Sequence, residues 1–198
     1  MKSWLYASVL AASLSALGQP QSDSAQEPAA AKRANELTLA GLRPGKDTLA
    51  SADARYKAKH RRAAPGASDI AEWADECTGR ALWLELGAKN AIQSITVSAM
   101  GKLSPPGTAN CSESLRDPLQ ISLWKTGRGL KLGDPRDRII ELYGEPNSSG
   151  PSAKGSRELE LLFYAFDWAG SDVPQVMEVS CERATGRVVE ITLAFPSL

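Results

Sequence analysis

A single histidine, His60, stands among the 198 residues of this chain. Nucleophile–base catalysis needs a group that titrates near neutrality, and histidine most often fills that role. His60 lies in a basic run with Lys57, Lys59, Arg61 and Arg62, where neighbouring positive charge disfavours an imidazolium. It reads as an exposed position, so Ser-His-Asp and Cys-His schemes are weak. Cysteine is scarce as well. Cys77, Cys111 and Cys181 show neither redox-motif nor metal-ligand spacing, and no metal or cofactor is expected. Gly127-Arg128-Gly129 lacks the Gly-Lys-Ser/Thr continuation of a phosphate loop. Positive charge is not in excess, with 23 Lys plus Arg against 23 Asp plus Glu. That balance argues against nucleic acid as a partner.

The N-terminal segment reads as an export signal over 1–18. Lys2 precedes an uncharged, mostly apolar run from Trp4 to Leu17, and Ala16-Leu17-Gly18 offers a small-x-small cleavage site. The run falls short of the roughly 20 apolar residues that span a bilayer. Export predicts a periplasmic or secreted location. Residues 19–35 lack aromatic and β-branched side chains and read as a flexible leader. In an oxidising compartment three cysteines predict one disulfide and one leftover thiol. Cys77 with Cys111 is the expected pair, closing a loop that could contribute roughly 3–4 kcal/mol. Cys181 alternates in phase with Met177 and Val179, so it is expected to point into a core.

What the chain does have is internal recurrence. Gly41-Leu42-Arg43-Pro44-Gly45 and Gly129-Leu130-Lys131-Leu132-Gly133 each precede a short helical pattern that reaches a tyrosine, Tyr56 or Tyr143. The first helix should carry Leu49, Ala52 and Tyr56 on one face. The second should start at Asp134-Pro135, with Asp134 as cap, and bury Ile139, Ile140, Leu142 and Tyr143. Leu37–Leu39, Ile70–Asp75, Arg80–Leu86 and Ile92–Ser98 read as strands of a first repeat over 36–101. Residues 102–118, centred on Pro105-Pro106-Gly107, form a linker. In a second repeat over 119–198, Leu119, Ile121 and Leu123 alternate as a strand and Ser148–Gly155 reads as a loop. Glu158–Trp168, Gln175–Cys181 and Arg187–Phe195 are its strand candidates. The expected class is α+β: two tandem repeats, each a short helical segment packed on a three- to four-stranded antiparallel sheet.

Leu130, Gly133, Tyr143, Gly144 and Pro146 give the second repeat a pattern that resembles the SmpA/OmlA, or BamE-like, family. The resemblance implies helices packed on a three-stranded antiparallel sheet. A tandem pair of such units is similar in architecture to β-lactamase inhibitory protein, which presents a concave, aromatic-rich sheet to its partner. In this chain Lys57 follows the first tyrosine where the family pattern has glycine.

The alternating set Leu162, Tyr164, Phe166, Trp168 and the opposite set Leu161, Phe163, Ala165, Asp167 divide one strand between a core and an outer face. The expected contact residues are Tyr164, Phe166 and Trp168, with Trp73 and Trp83 from the first repeat and Asp167, Asp172 and Glu178 as a polar rim. The functional expectation is a monomeric, non-enzymatic, exported protein-binding module of unidentified partner, with inhibition of an exported hydrolase as a specific version. The alternative is an envelope structural or assembly accessory protein, peripherally associated through its basic segment. A third reading uses Glu158 and Glu160 as paired carboxylates of a hydrolase.

Overall fold

In the computed structural model, residues 35–62, 69–75, 78–99, 120–166 and 175–195 are described. In chain order they form α1 (Leu49–Arg55), β1 (Arg61–Arg62), β2 (Ile70–Asp75), β3 (Arg80–Leu86) and β4 (Ile92–Ser98), then α2 (Arg136–Tyr143), β5 (Ser148–Lys154), β6 (Arg157–Phe166), β7 (Gln175–Glu182) and β8 (Arg187–Ala194). All eight strands belong to one antiparallel sheet of order β1-β2-β3-β4-β8-β7-β6-β5. This corrects the expected fold class. The α+β picture of two helix-plus-sheet repeats gives way to a mainly β architecture, in which the described residues form one continuous sheet with two short α-helices. The merger happens at β4 and β8, which pair from Ser94↔Ala194 to Ser98↔Glu190. Each is an apolar, β-branched strand that would otherwise be an unpaired edge, and joining them satisfies both rows of backbone donors and acceptors.

The helix-side core follows from the period of two. Trp73, Leu82, Val97, Ile191, Val179 and Leu162 line up across six strands, and all are buried. Leu49 and Ala52 of α1 and Ile139 and Tyr143 of α2 pack into the same cluster. A single core thus draws on both ends of the sheet. The two recurring glycine loops act as tight corners beneath it. Gly41, Gly45, Gly129 and Gly133 all adopt positive φ, while Leu42 and Leu130 between them are fully buried.

Buried Glu36, 2% exposed, fastens the start of the described chain to the loop before α2. Its Oε1 accepts from the backbone N–H of Leu37 (2.8 Å), Thr38 (3.0 Å) and Gly127 (3.0 Å). Its Oε2 accepts from Arg128 N–H (3.1 Å) and the Tyr143 hydroxyl (2.8 Å). A Cβ on Gly127 would stand 2.7 Å from both Glu36 Oε1 and Thr38 Oγ1, so a larger residue would have to displace these side chains.

Several local expectations change. Leu37–Leu39 contributes only two isolated bridges at Leu39, to Leu42 and Thr126, and Ile121–Leu123 is a 3-10 turn rather than a strand. The residues 148–155, expected as a loop, supply edge strand β5, because backbone pairing with β6 overrides weak propensity. Asp134 does not cap α2. Its carboxylate accepts from Lys131 N–H at 3.0 Å. The expected disulfide gains no support from the structure. Cys77 and Cys111 lie outside the described residues, and Cys181 is a free, buried thiol. The export segment 1–18, the leader up to 34 and the linker 102–118 also lie outside them, and the structure adds no support for the export signal. No described helix is long and apolar enough to cross a membrane.

Candidate binding face

On the side away from the helices a second register line crosses the sheet: Glu72, Trp83, Thr96, Thr192, Glu178 and Phe163. Strand alternation turns these side chains away from the core. Glu178 is exposed and the others are half-buried. Two aromatic rings therefore flank a polar centre, where Thr96 Oγ1 and Thr192 Oγ1 share a hydrogen bond of 2.9 Å. The adjoining line includes Glu85, whose carboxylate accepts from Ser94 Oγ at 3.1 Å. The next line on the other side includes Glu190 of β8. Among the described residues neither Glu72 nor Glu178 has an ion pair, and Arg61 is the register partner of Glu72, so carboxylates of both lines stand beside the aromatic residues with Arg61 at the β1 edge.

The expected contact set occupies the opposite side. Tyr164 and Phe166 are 0% exposed and Trp73 is 1% exposed. Tyr164 and Phe166 stack at 6.1 Å, and Tyr143 of α2 closes on them at 5.8 and 6.0 Å. Tyr164 donates its hydroxyl to Gly144 O at 3.1 Å, and the Trp73 indole donates to Ala58 O at 2.9 Å. These three rings are core and cannot meet a partner. Both alternating sets of β6 are apolar, so the pattern divides the strand without saying which half faces the helices. Trp168, Asp167 and Asp172 lie outside the described residues. Of the five expected aromatic residues only Trp83 is placed on the open face. Phe163, from the other alternating set of β6, shares that face with Trp83.

Two hollows lie elsewhere. A cleft of about 540 Å³ beside the start of α2 is lined by Arg136, Glu160, Cys181, Glu182 and Arg183, among others. Glu160 accepts from Arg136 Nε (2.8 Å) and from its second terminal nitrogen (2.9 Å), a forked pair. That pairing engages one of the two carboxylates of the hydrolase reading. Burial first, then the nearby Glu160 charge, pushes the Cys181 thiol up to about 11, so it stays protonated and unreactive near neutrality. A hollow of about 280 Å³ is lined by Asp53, Tyr56, Lys57, Ala58, Lys59 and His60. His60 is not the exposed residue expected from its neighbours. Its Nδ1 lies 2.8 Å from Asp53 Oδ1, its ring packs 5.3 Å from Trp73, and its side chain is only 19% exposed. No cluster of three potential metal ligands occurs among the described residues.

None of the family models, curated proteins or solved structures compared with the chain matches it. The BamE-like resemblance therefore rests on the sequence alone, on Leu130, Gly133, Tyr143, Gly144 and Pro146 and the aromatic segments at Phe163-Tyr164 and Trp168.

Proposed function

We propose that this chain is a non-enzymatic protein-binding module whose recognition surface is the helix-free face of the sheet. The observation that carries this reading is the register line through Trp83, Thr96, Thr192, Glu178 and Phe163. It combines aromatic rings with two carboxylates, Glu72 and Glu178, that have no ion pair among the described residues, and no described helix covers it. Tryptophan and other aromatic residues concentrate binding energy at protein interfaces, and a surrounding polar rim supports specificity. A rigid sheet presents such groups at little entropic cost. Export remains part of the proposal and rests on residues 1–18 alone.

The test is affinity capture with the whole protein as bait, beside a Thr192→Arg variant shown to be folded. Thr192 sits at the centre of the face and outside the core, so the substitution should block docking without unfolding the sheet. A partner held by the wild type, lost by Thr192→Arg and protecting β3, β4, β7 and β8 from hydrogen exchange supports the reading. Undiminished capture by the variant would move the site off this face.

A further inference from the structure

The open face contains a seat for a cation, and the chain fills it with its own lysine. Lys154 ends β5, the edge strand, with β6, β7, β8 and β4 lying between it and β3 in the sheet order. Its Nζ nevertheless stands 5.5 Å from the Trp83 ring centroid on β3. It also lies 2.6 Å from Glu190 Oε2 on β8. The tip of the β5–β6 hairpin therefore bends across the face. Consistent with that cover, Leu159 and Ala81 are 2% exposed and Val189 8%, although none belongs to the helix-side core.

The two sides of this contact are unequal. The Glu190 side chain is 15% exposed and that of Lys154 48%. The carboxylate belongs to the sheet, and the ammonium reaches it from the solvent side on a flexible stem. A sheltered carboxylate beside an indole face is the chemistry that holds a lysine or arginine side chain. Glu72 and Glu178, which have no ion pair among the described residues, extend the same negative field along the face.

We propose that the Trp83–Glu190 seat anchors a lysine or arginine of a protein partner, and that Lys154 is an internal competitor displaced when the partner docks. This rests on reading the helix-free face as a recognition surface, and it specifies the partner: a segment pairing a basic side chain with apolar ones that pack on Phe163. Charge complementarity commits the face to such a segment rather than to an acidic or nucleic-acid ligand. Lys154 is open to solvent on its side of the pair, and an ion pair with one exposed partner and a surface cation–π contact are each modest, so Lys154 is displaceable and its presence should reduce affinity about three- to tenfold.

The experiment titrates the capped peptide acetyl-Leu-Arg-Leu-Lys-Leu-amide into the whole protein, followed by NMR shifts of the Trp83 indole. Lys154→Met should bind it about three- to tenfold more tightly than the wild type, and Lys154→Gln should behave in the same way. Adding Glu190→Gln should abolish the gain, and the same peptide with glutamates in place of its basic residues should not bind. Equal binding by wild type and both Lys154 variants, or a gain that survives Glu190→Gln, would overturn the proposal. Partner capture that is lost in Thr192→Arg but indifferent to Lys154 would leave the binding-module reading standing and remove only the competitor. Tight peptide binding by Lys154→Met without any face-dependent partner would do the reverse.

Discussion

Thr96 and Thr192 are direct register partners across the β4–β8 seam, and their hydroxyl oxygens lie 2.9 Å apart on the open face. Directly behind this pair, Ile95 and Val97 of β4 and Ile191 and Leu193 of β8 are fully buried. The seam is thus polar on one side and load-sharing core on the other. Thr192→Arg should change stability by less than about 1 kcal/mol, because it leaves the buried side untouched. Chemical denaturation beside the capture assay separates this surface effect from unfolding.

Phe166→Ala should behave as a core truncation. Its ring is fully buried against Tyr143 and Tyr164, and its loss should cost about 3–5 kcal/mol. Urea denaturation measures this directly. A loss below about 1 kcal/mol would place the ring outside a packed core.

Glu36→Ala should destabilise the fold by about 3 kcal/mol, since it strands several donors that now meet one buried carboxylate. Gly127→Ala should act in the same direction, because the new methyl group would occupy the space of Glu36 Oε1. Additive losses in the double variant would contradict a shared contact, whereas coupling supports it.

Tyr56 and Tyr143 should make stability fall in strong base. Burial is the main cause that raises the pKa of each hydroxyl well above the ordinary tyrosine value of 10.0, and the Glu36 carboxylate adds to it at Tyr143. The unfolded chain releases these protons near pH 10 and the folded chain holds them, so stability is full below that pH and declines above it. Two such groups give a limiting slope of about 2.7 kcal/mol per pH unit, reached about one unit above the ordinary tyrosine value, and about half that at it. Denaturation midpoints between pH 9 and 11 test this, and Tyr143→Phe should halve the slope.

Six strands were legible because alternation marks them strongly: β2, β3 and β4 match their expected limits, and β6, β7 and β8 differ by two residues or fewer at each end. The helices were legible through Leu49, Ala52, Ile139 and Tyr143, which the structure buries. Strand β5 was not, because Ser-Ser-Gly-Pro-Ser has no apolar period and gains its structure from β6. The candidate site was legible only in part. Trp83 stood out as an aromatic residue opposite a leucine set, but Lys154 and Glu190 are remote in sequence and meet only when the hairpin bends over.

By itself the sequence determined the local grammar of this protein: which residues alternate and where glycine turns the chain. Those properties depend on neighbours a few positions apart. Tertiary structure alone decided that β4 pairs with β8, that Tyr164 and Phe166 face inward, and that Lys154 reaches Trp83. Each of these depends on contacts between distant segments. Period two divides a strand into two sides, and only the packing of α1 and α2 on one side determines which joins the helix-side core and which is turned away from it.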